Sequence, residues 1–375
     1  MKPVRPSWLE IDLGALRANF ESILQDKPRS VAVCSVLKDE AYGHGALQVA
    51  QVASQTGISI FAVSTLDEAL ELRESDPSYT ILLLGERPCD ELPWCVQDDI
   101  QCCVNRMETV SELERLAGRF DKAPKVHVKV DTGMSRYGVR WTEALPLIQA
   151  IARSHQISLE GIMSHFAMSD ETDKTFAHLQ LNRFQEVLNQ IESQGLRAVY
   201  RHICNSGGFL DLPQAHFDMV RIGLLALGVY PSKVCRRIPT LRPVMQAKSR
   251  IASIQNISVG DNVGYGLRFT ASAPCRIGVL PVGYGDGYPR LRNQGHVLIH
   301  GKRAPVTGAN AMDAMMVDLT HIPEAELWDE AVLLGRQGDE EISAHDLAAW
   351  GNTVSYDILS GWRSRLPKLY VNPIA

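Results

Sequence analysis

The stretch Val31-Ala32-Val33-Cys34-Ser35-Val36-Leu37-Lys38-Asp39-Glu40-Ala41-Tyr42-Gly43-His44-Gly45 runs from a short apolar segment into a lysine and a glycine-containing turn. An amphipathic segment, 46–55, follows. A continuous apolar run bounded by a turn suits a strand buried on both faces, and the segment behind it has helical spacing. This strand-turn-helix unit recurs. Strands are expected at 31–37, 59–63, 80–84, 100–104, 125–130, 159–163, 202–204 and 219–221, with helices at 46–55, 67–73, 106–118, 142–154 and 175–194. Eight strands with helices between them predict a parallel (β/α)8 TIM-like barrel of roughly 250 residues. A doubly wound sheet would share the pattern. Polar residues just after many strands, where barrel active sites lie, favour the barrel.

After about Pro231 the texture changes. Short strands at 244–254, 276–281, 296–299, 303–306, 315–319 and 330–334 alternate with glycine-rich turns, and helical pattern is confined to 344–350 and 356–361. The expected organisation is a barrel over 1–234 and a mostly-β domain over 235–375. The opening helix, 13–24, either joins the second domain or caps the barrel.

Composition narrows the function classes. The 375 residues are 45% hydrophobic and 22% charged, ordinary for a globular chain with room for two cores. A net charge of -5 supplies no basic field for nucleic acid or anionic lipid. No apolar run approaches the ~20 residues of a membrane span. The opening Met1-Lys2-Pro3-Val4-Arg5-Pro6 leads to acidic Asp12 without the apolar core of a signal peptide, so a cytoplasmic location is expected. The eight cysteines form no C-x-x-C pair, which points to free thiols and no zinc site.

A lone lysine after a strand is ordinarily a solvated lysine. Lys38 with Ala41-Tyr42-Gly43-His44-Gly45, however, resembles the cofactor-binding signature of the alanine racemase family. Further matches follow in order: Lys129 to Gly138, Ser164-His165-Phe166-Ala167, Asn205-Ser206-Gly207, Val220-Arg221-Ile222-Gly223, Val263-Gly264-Tyr265-Gly266, Pro281 to Arg290, Met312-Asp313 and Tyr356-Asp357. The resemblance covers nearly the whole chain. It implies pyridoxal 5'-phosphate, attached to Lys38 and contacted by Asn205, with Tyr42, Ser206, Ile222, Gly223 and Tyr356 around the phosphate, where small residues and backbone N–H groups approach an anion closely. A bland reading of Ser206 is a helix N-cap. Arg221 would face the pyridine nitrogen, where it cannot accept a proton, so the ring is a weaker electron sink and side reactions such as transamination are limited. The plainer role for Arg221 is a buried ion pair with Asp218. By the same resemblance His165 packs beside the ring, Arg136 binds near its phenolic oxygen and touches substrate, and Lys129 is a carbamylation site whose anion aligns Arg136.

Racemisation removes a proton from one face of the α-carbon and returns one to the other. The resemblance implies two bases, Lys38 and Tyr265, both of a kind with reference pKa values around 10 that need tuning. It also implies that Tyr265 and Met312 reach the barrel of a partner subunit, making a homodimer with shared sites. Met312 would bind the substrate carboxylate through its N–H, and Tyr284 would narrow the entrance. The D-alanine product would supply the bacterial cell wall. Three places depart from the family pattern: Asp39-Glu40 after the lysine, Ala309-Asn310-Ala311 in place of Arg-Val-Cys, and Ser135 in place of glycine. They leave open a racemase of broader, serine or basic specificity. A decarboxylase would pair the ring nitrogen with an acid rather than Arg221, and a non-catalytic cofactor carrier would lack the β domain.

Overall fold

The computed structural model describes residues 5–373, which divide into two compact units. One comprises Arg17–Ala41 and Gly45–Leu241. Its strands, Ala32–Val36, Ile60–Val63, Thr80–Leu83, Gln101–Val104, Lys125–Asp131, Ser158–Met163, Tyr200–His202 and Met219–Ile222, are all parallel to their neighbours. The eighth lies beside the first in register Met219 to Ala32. Bonds from Asp218 N to Arg201 O and from Arg221 N to Cys204 O, both 3.1 Å, tie it to the chain of the seventh and close the barrel. One side chain from each of six strands (Cys34, Ala62, Leu82, Cys103, Met163, Met219) packs into an interior layer, so the barrel is filled rather than hollow. The strands fall within about two residues of their expected limits; the seventh begins two residues early.

The turn after the first strand is unusual. Asp39, Glu40, Ala41 and Tyr42 all have φ between 50° and 55°, one turn of left-handed helix. For L-residues this costs about 1–2 kcal/mol each, so the turn needs external support. Ala41 N donates to Leu37 O at 2.7 Å and Gly45 N to Glu40 O at 2.8 Å. Glu68 Oε1 accepts from Asp39 N at 2.6 Å. Glu40 is not idle on the surface: its Oε2 accepts from Ala46 N at 3.3 Å, at the start of helix Ala46–Gln55.

The second unit contains the described residues up to Leu16, Tyr42–His44, and the chain from Arg242 onward. Its main sheet runs in the order Lys302–Pro305, His296–Ile299, Glu330–Gln337, Met245–Arg250, Ser7–Asp12, Lys368–Val371, with Glu340–Ile342 on the side of Glu330–Gln337. The single strand expected at 244–254 is two. Met245–Arg250 lies in this sheet, and Ser253–Ile257 pairs with Cys275–Leu280 in a separate three-stranded sheet. The terminal strands Ser7–Asp12 and Lys368–Val371 pair in parallel with each other and were not expected from local pattern. Helix Leu13–Gln25 starts with this unit and is counted with the barrel from Arg17 onward. Among the described residues no helix is long and apolar enough to cross a membrane.

Candidate active site

The C-terminal ends of the barrel strands carry a cluster of cations around one histidine. Arg221, on the eighth strand, is 3% exposed. Its NH2 donates to Ser164 O at 2.8 Å, to His165 Nδ1 at 3.0 Å and to Ile203 O at 3.2 Å, and its NH1 donates to His202 Nδ1 at 2.8 Å. The ion pair with Asp218 does not form. Asp218 instead takes Arg201 at 2.7 Å. Every acceptor bonded to Arg221 among the described residues is therefore neutral, an uncommon condition for a buried guanidinium. Burial, then the charges of Arg221, Lys129, Arg136 and Lys38, hold His165 well below the usual imidazole range. Lys38, just past the first strand and partly buried, is lowered by burial and by Arg136, against smaller opposing effects of Glu68 and Asp39.

Lys129 lies on strand Lys125–Asp131. Its side chain keeps some exposure, yet the surrounding protein and then Arg221 push its amine down to about 7. The chain then curls around Asp131, whose Oδ1 accepts from Gly133 N and Met134 N at 2.9 Å and from Ser135 N at 3.1 Å. Ser135 stands at φ 56°, the left-handed region that glycine occupies freely. Gly138 is required sterically, since a Cβ there would lie 2.6 Å from Asp131 N. Arg136 sits on this loop, exposed, and close enough to act on Lys38 and Lys129.

Asn205, not Ser206, caps the short helix Ser206–Asp211, accepting from Gly208 N at 2.9 Å. Ser206 is left buried at the first helical position, with its Oγ 3.4 Å from Gly223 N. Ile222 and Gly223 follow at the end of the eighth strand. A cluster of cations at strand ends that also carry a buried hydroxyl and a lysine of lowered pKa suits an anionic aldehyde cofactor.

The other expected residues lie in the second unit. The rings of Tyr42 and Tyr356 are 6.3 Å apart. Tyr265 opens a single helical turn after Gly264, whose φ of 72° lies in the left-handed region that favours glycine. Tyr265 is 77% exposed and Met312 55% exposed. The backbone beneath Met312 is fixed, because Tyr284 N donates to Ala311 O at 3.1 Å and Gly285 N to Met312 O at 2.7 Å. Gly283 permits this approach, for a Cβ there would lie 2.1 Å from Ala311 O. Asn310, one of the departing residues, is buried and donates to Pro289 O at 2.9 Å.

Sequence reasoning missed His202, His127 and Gln101, which continue the polar row behind Arg221. The available signal was a histidine inside the apolar run Val126-His127-Val128.

Residues 11–231 match the model of the alanine racemase N-terminal domain, and residues 244–370 match that of the alanine racemase C-terminal domain. The alanine racemase of Syntrophobacter fumaroxidans is 41% identical over 98% of each chain. That of Halothermothrix orenii is 38% identical over 99% of this chain and 98% of its own. The solved alanine racemase of Streptomyces coelicolor superposes with a TM-score of 0.93 at 35% identity, covering 99% of both chains. With both domain models matched in order and relatives aligned from end to end, the chain belongs to the alanine racemase family.

Proposed function

We propose that this protein interconverts L- and D-alanine as a cytoplasmic homodimer, with pyridoxal 5'-phosphate bound at the barrel mouth. On this reading residues 1–234 bind the cofactor and residues 235–375 supply the second base. The cofactor draws electron density from the α-carbon of the bound amino acid. Lys38 holds the cofactor and exchanges a proton with one face of the α-carbon. The partner subunit's Tyr265 serves the opposite face. Ser206 and the backbone of Ile222 and Gly223 bind the phosphate, together with Tyr42 and Tyr356, and Asn205 also contacts the cofactor. Arg221 donates to the ring nitrogen without yielding a proton. His165 lies against the ring, and Arg136 with the partner subunit's Met312 receives the substrate carboxylate. Tyr284 restricts the entrance to a small side chain. Lys129 takes up carbon dioxide as a carbamate and steadies Arg136, and the D-alanine formed supplies the cell wall.

The observation that carries this reading is the convergence of Lys38, Lys129, Arg136 and Arg221 on a neutral His165. Such a mouth selects a phosphate-bearing cofactor and a carboxylate substrate, and its depressed lysine amines are available as a base and as a carbon dioxide acceptor. Chiral chromatography of the purified protein with L-alanine, L-serine and L-lysine in parallel tests it. Alanine is expected to racemise well ahead of the other two. Equal turnover of serine or lysine would assign the change at Ala309-Asn310-Ala311 to substrate breadth, and no turnover with cofactor bound would make the protein a carrier.

A further inference from the structure

Behind Arg221 a buried row of side chains crosses the barrel interior. His202 receives Arg221 NH1 on Nδ1 at 2.8 Å, His202 Nε2 lies 2.9 Å from His127 Nδ1, and His127 Nε2 lies 2.8 Å from Gln101 Oε1. Gln101, His127 and His202 are all buried. Both imidazoles are neutral, because burial and Arg221 hold His127 down to about 3 and His202 well below its usual range. The direction of the row then follows from chemistry alone. A guanidinium can only donate, so His202 Nδ1 accepts and its proton sits on Nε2. That proton is donated to His127 Nδ1, which places the His127 proton on Nε2, facing an amide oxygen. Every link agrees.

The fold makes room for this row. Gly161 lies on the neighbouring strand, where a Cβ would come 2.1 Å from His127 Nδ1. The pairing between these strands slips by one residue between Val126 and His127. Neither feature is needed to build a barrel of apolar strands.

We infer that Gln101 is a positioning residue for the racemase site: as terminal acceptor it stabilises the Nε2–H tautomers that Arg221 requires of His127 and His202, and so presents Arg221 with an oriented, neutral acceptor. A carboxylate in the place of His202 would hold the guanidinium too, but would offset its charge beside the cofactor. Loss of the Gln101 oxygen leaves the buried His127 Nε2–H without an acceptor, which penalises the one tautomer pair that satisfies Arg221. The competing pair, Nδ1–H on both rings, sets donor against donor at Arg221, so without Gln101 the row is strained in either form and both become populated. The inference rests on Arg221 facing the cofactor ring.

Nitrogen-15 NMR of the histidine-labelled wild-type holoenzyme tests the row without any variant. Both His127 and His202 are expected as the Nε2–H form, and an Nδ1–H form at either overturns the inference. Gln101→Met keeps the side-chain length and removes the strong acceptor. It is expected to shift both tautomers, move the visible absorbance band of the bound cofactor, and lower kcat on the order of ten-fold, with KM for alanine unchanged. Wild-type tautomers and kcat in Gln101→Met would overturn the positioning role. Shifted tautomers with an unchanged absorbance band and unchanged cofactor affinity would instead overturn the placement of Arg221 against the ring.

Discussion

The barrel mouth and the Tyr265–Met312 surface of the β unit solve opposite problems. At the mouth, Arg221 is enclosed and its guanidinium is held by four bonds to side chains and carbonyls of the same chain. On the β unit, Tyr265, Leu267 and Met312 stand 77%, 66% and 55% exposed on a backbone held rigid by glycines and amide bonds. One region is preorganised by its own fold, at the expense of burying charge. The other displays large apolar side chains on fixed turns, the form of a surface that another molecule completes. The shared site proposed above, in which the two functional halves belong to different copies, would account for both.

The largest effect expected is from Lys38→Ala, which should remove the covalent cofactor band near ~420 nm and take racemisation below detection. Tyr265→Phe should keep that band and lose roughly 10²–10⁴ in rate. Mixing Lys38→Ala and Tyr265→Phe subunits sharpens the comparison: if each site draws on two copies, mixed dimers regain one intact site and measurable racemisation. If mixing after dissociation restores nothing, the two halves work within one chain.

A smaller, pH-dependent effect belongs to Lys129. Its amine is held at about 7 in the fold against 10.5 when unfolded. Between those values the unfolded chain holds a proton that the folded chain lacks. Stability therefore climbs as pH rises from 7 toward 10.5, and the full penalty of the enclosed cation is present below 7. Lys129→Met should flatten that slope in melting curves recorded without bicarbonate. With labelled bicarbonate, the wild type should show a bound carbamate carbon that the variant lacks. A slope unaltered by Lys129→Met would place the amine in solvent.

The smallest change is at Ser135, left-handed at φ 56°. Ser135→Gly is expected to stabilise the barrel by up to about 1 kcal/mol with racemisation untouched, read by denaturant midpoint. Destabilisation would mean that the serine makes a compensating contact in solution.

The barrel strands were legible because a strand buried on both faces is a continuous apolar run, whatever surrounds it. The positions of Lys38, His165, Arg221 and Gly223 at strand ends followed from the same pattern. The strands Ser7–Asp12 and Lys368–Val371 were not legible, because each is defined by a partner more than two hundred residues away in sequence. The left-handed turn at Asp39–Tyr42 was hidden for a related reason. Three of its four residues are not types that favour that conformation, and the bond to Glu68 that supports it is a contact between elements.

By itself, the sequence determined the order of elements, the chemical groups at the strand ends and the family, since these depend on local periodicity and residue identity. Only tertiary structure decided that Asp218 pairs with Arg201, that Asn205 and not Ser206 caps its helix, and that Arg221 is anchored by neutral histidines. The physical reason is that a side chain's charge state and partner are set by burial and by groups a few ångströms away, which the order of residues along the chain does not specify.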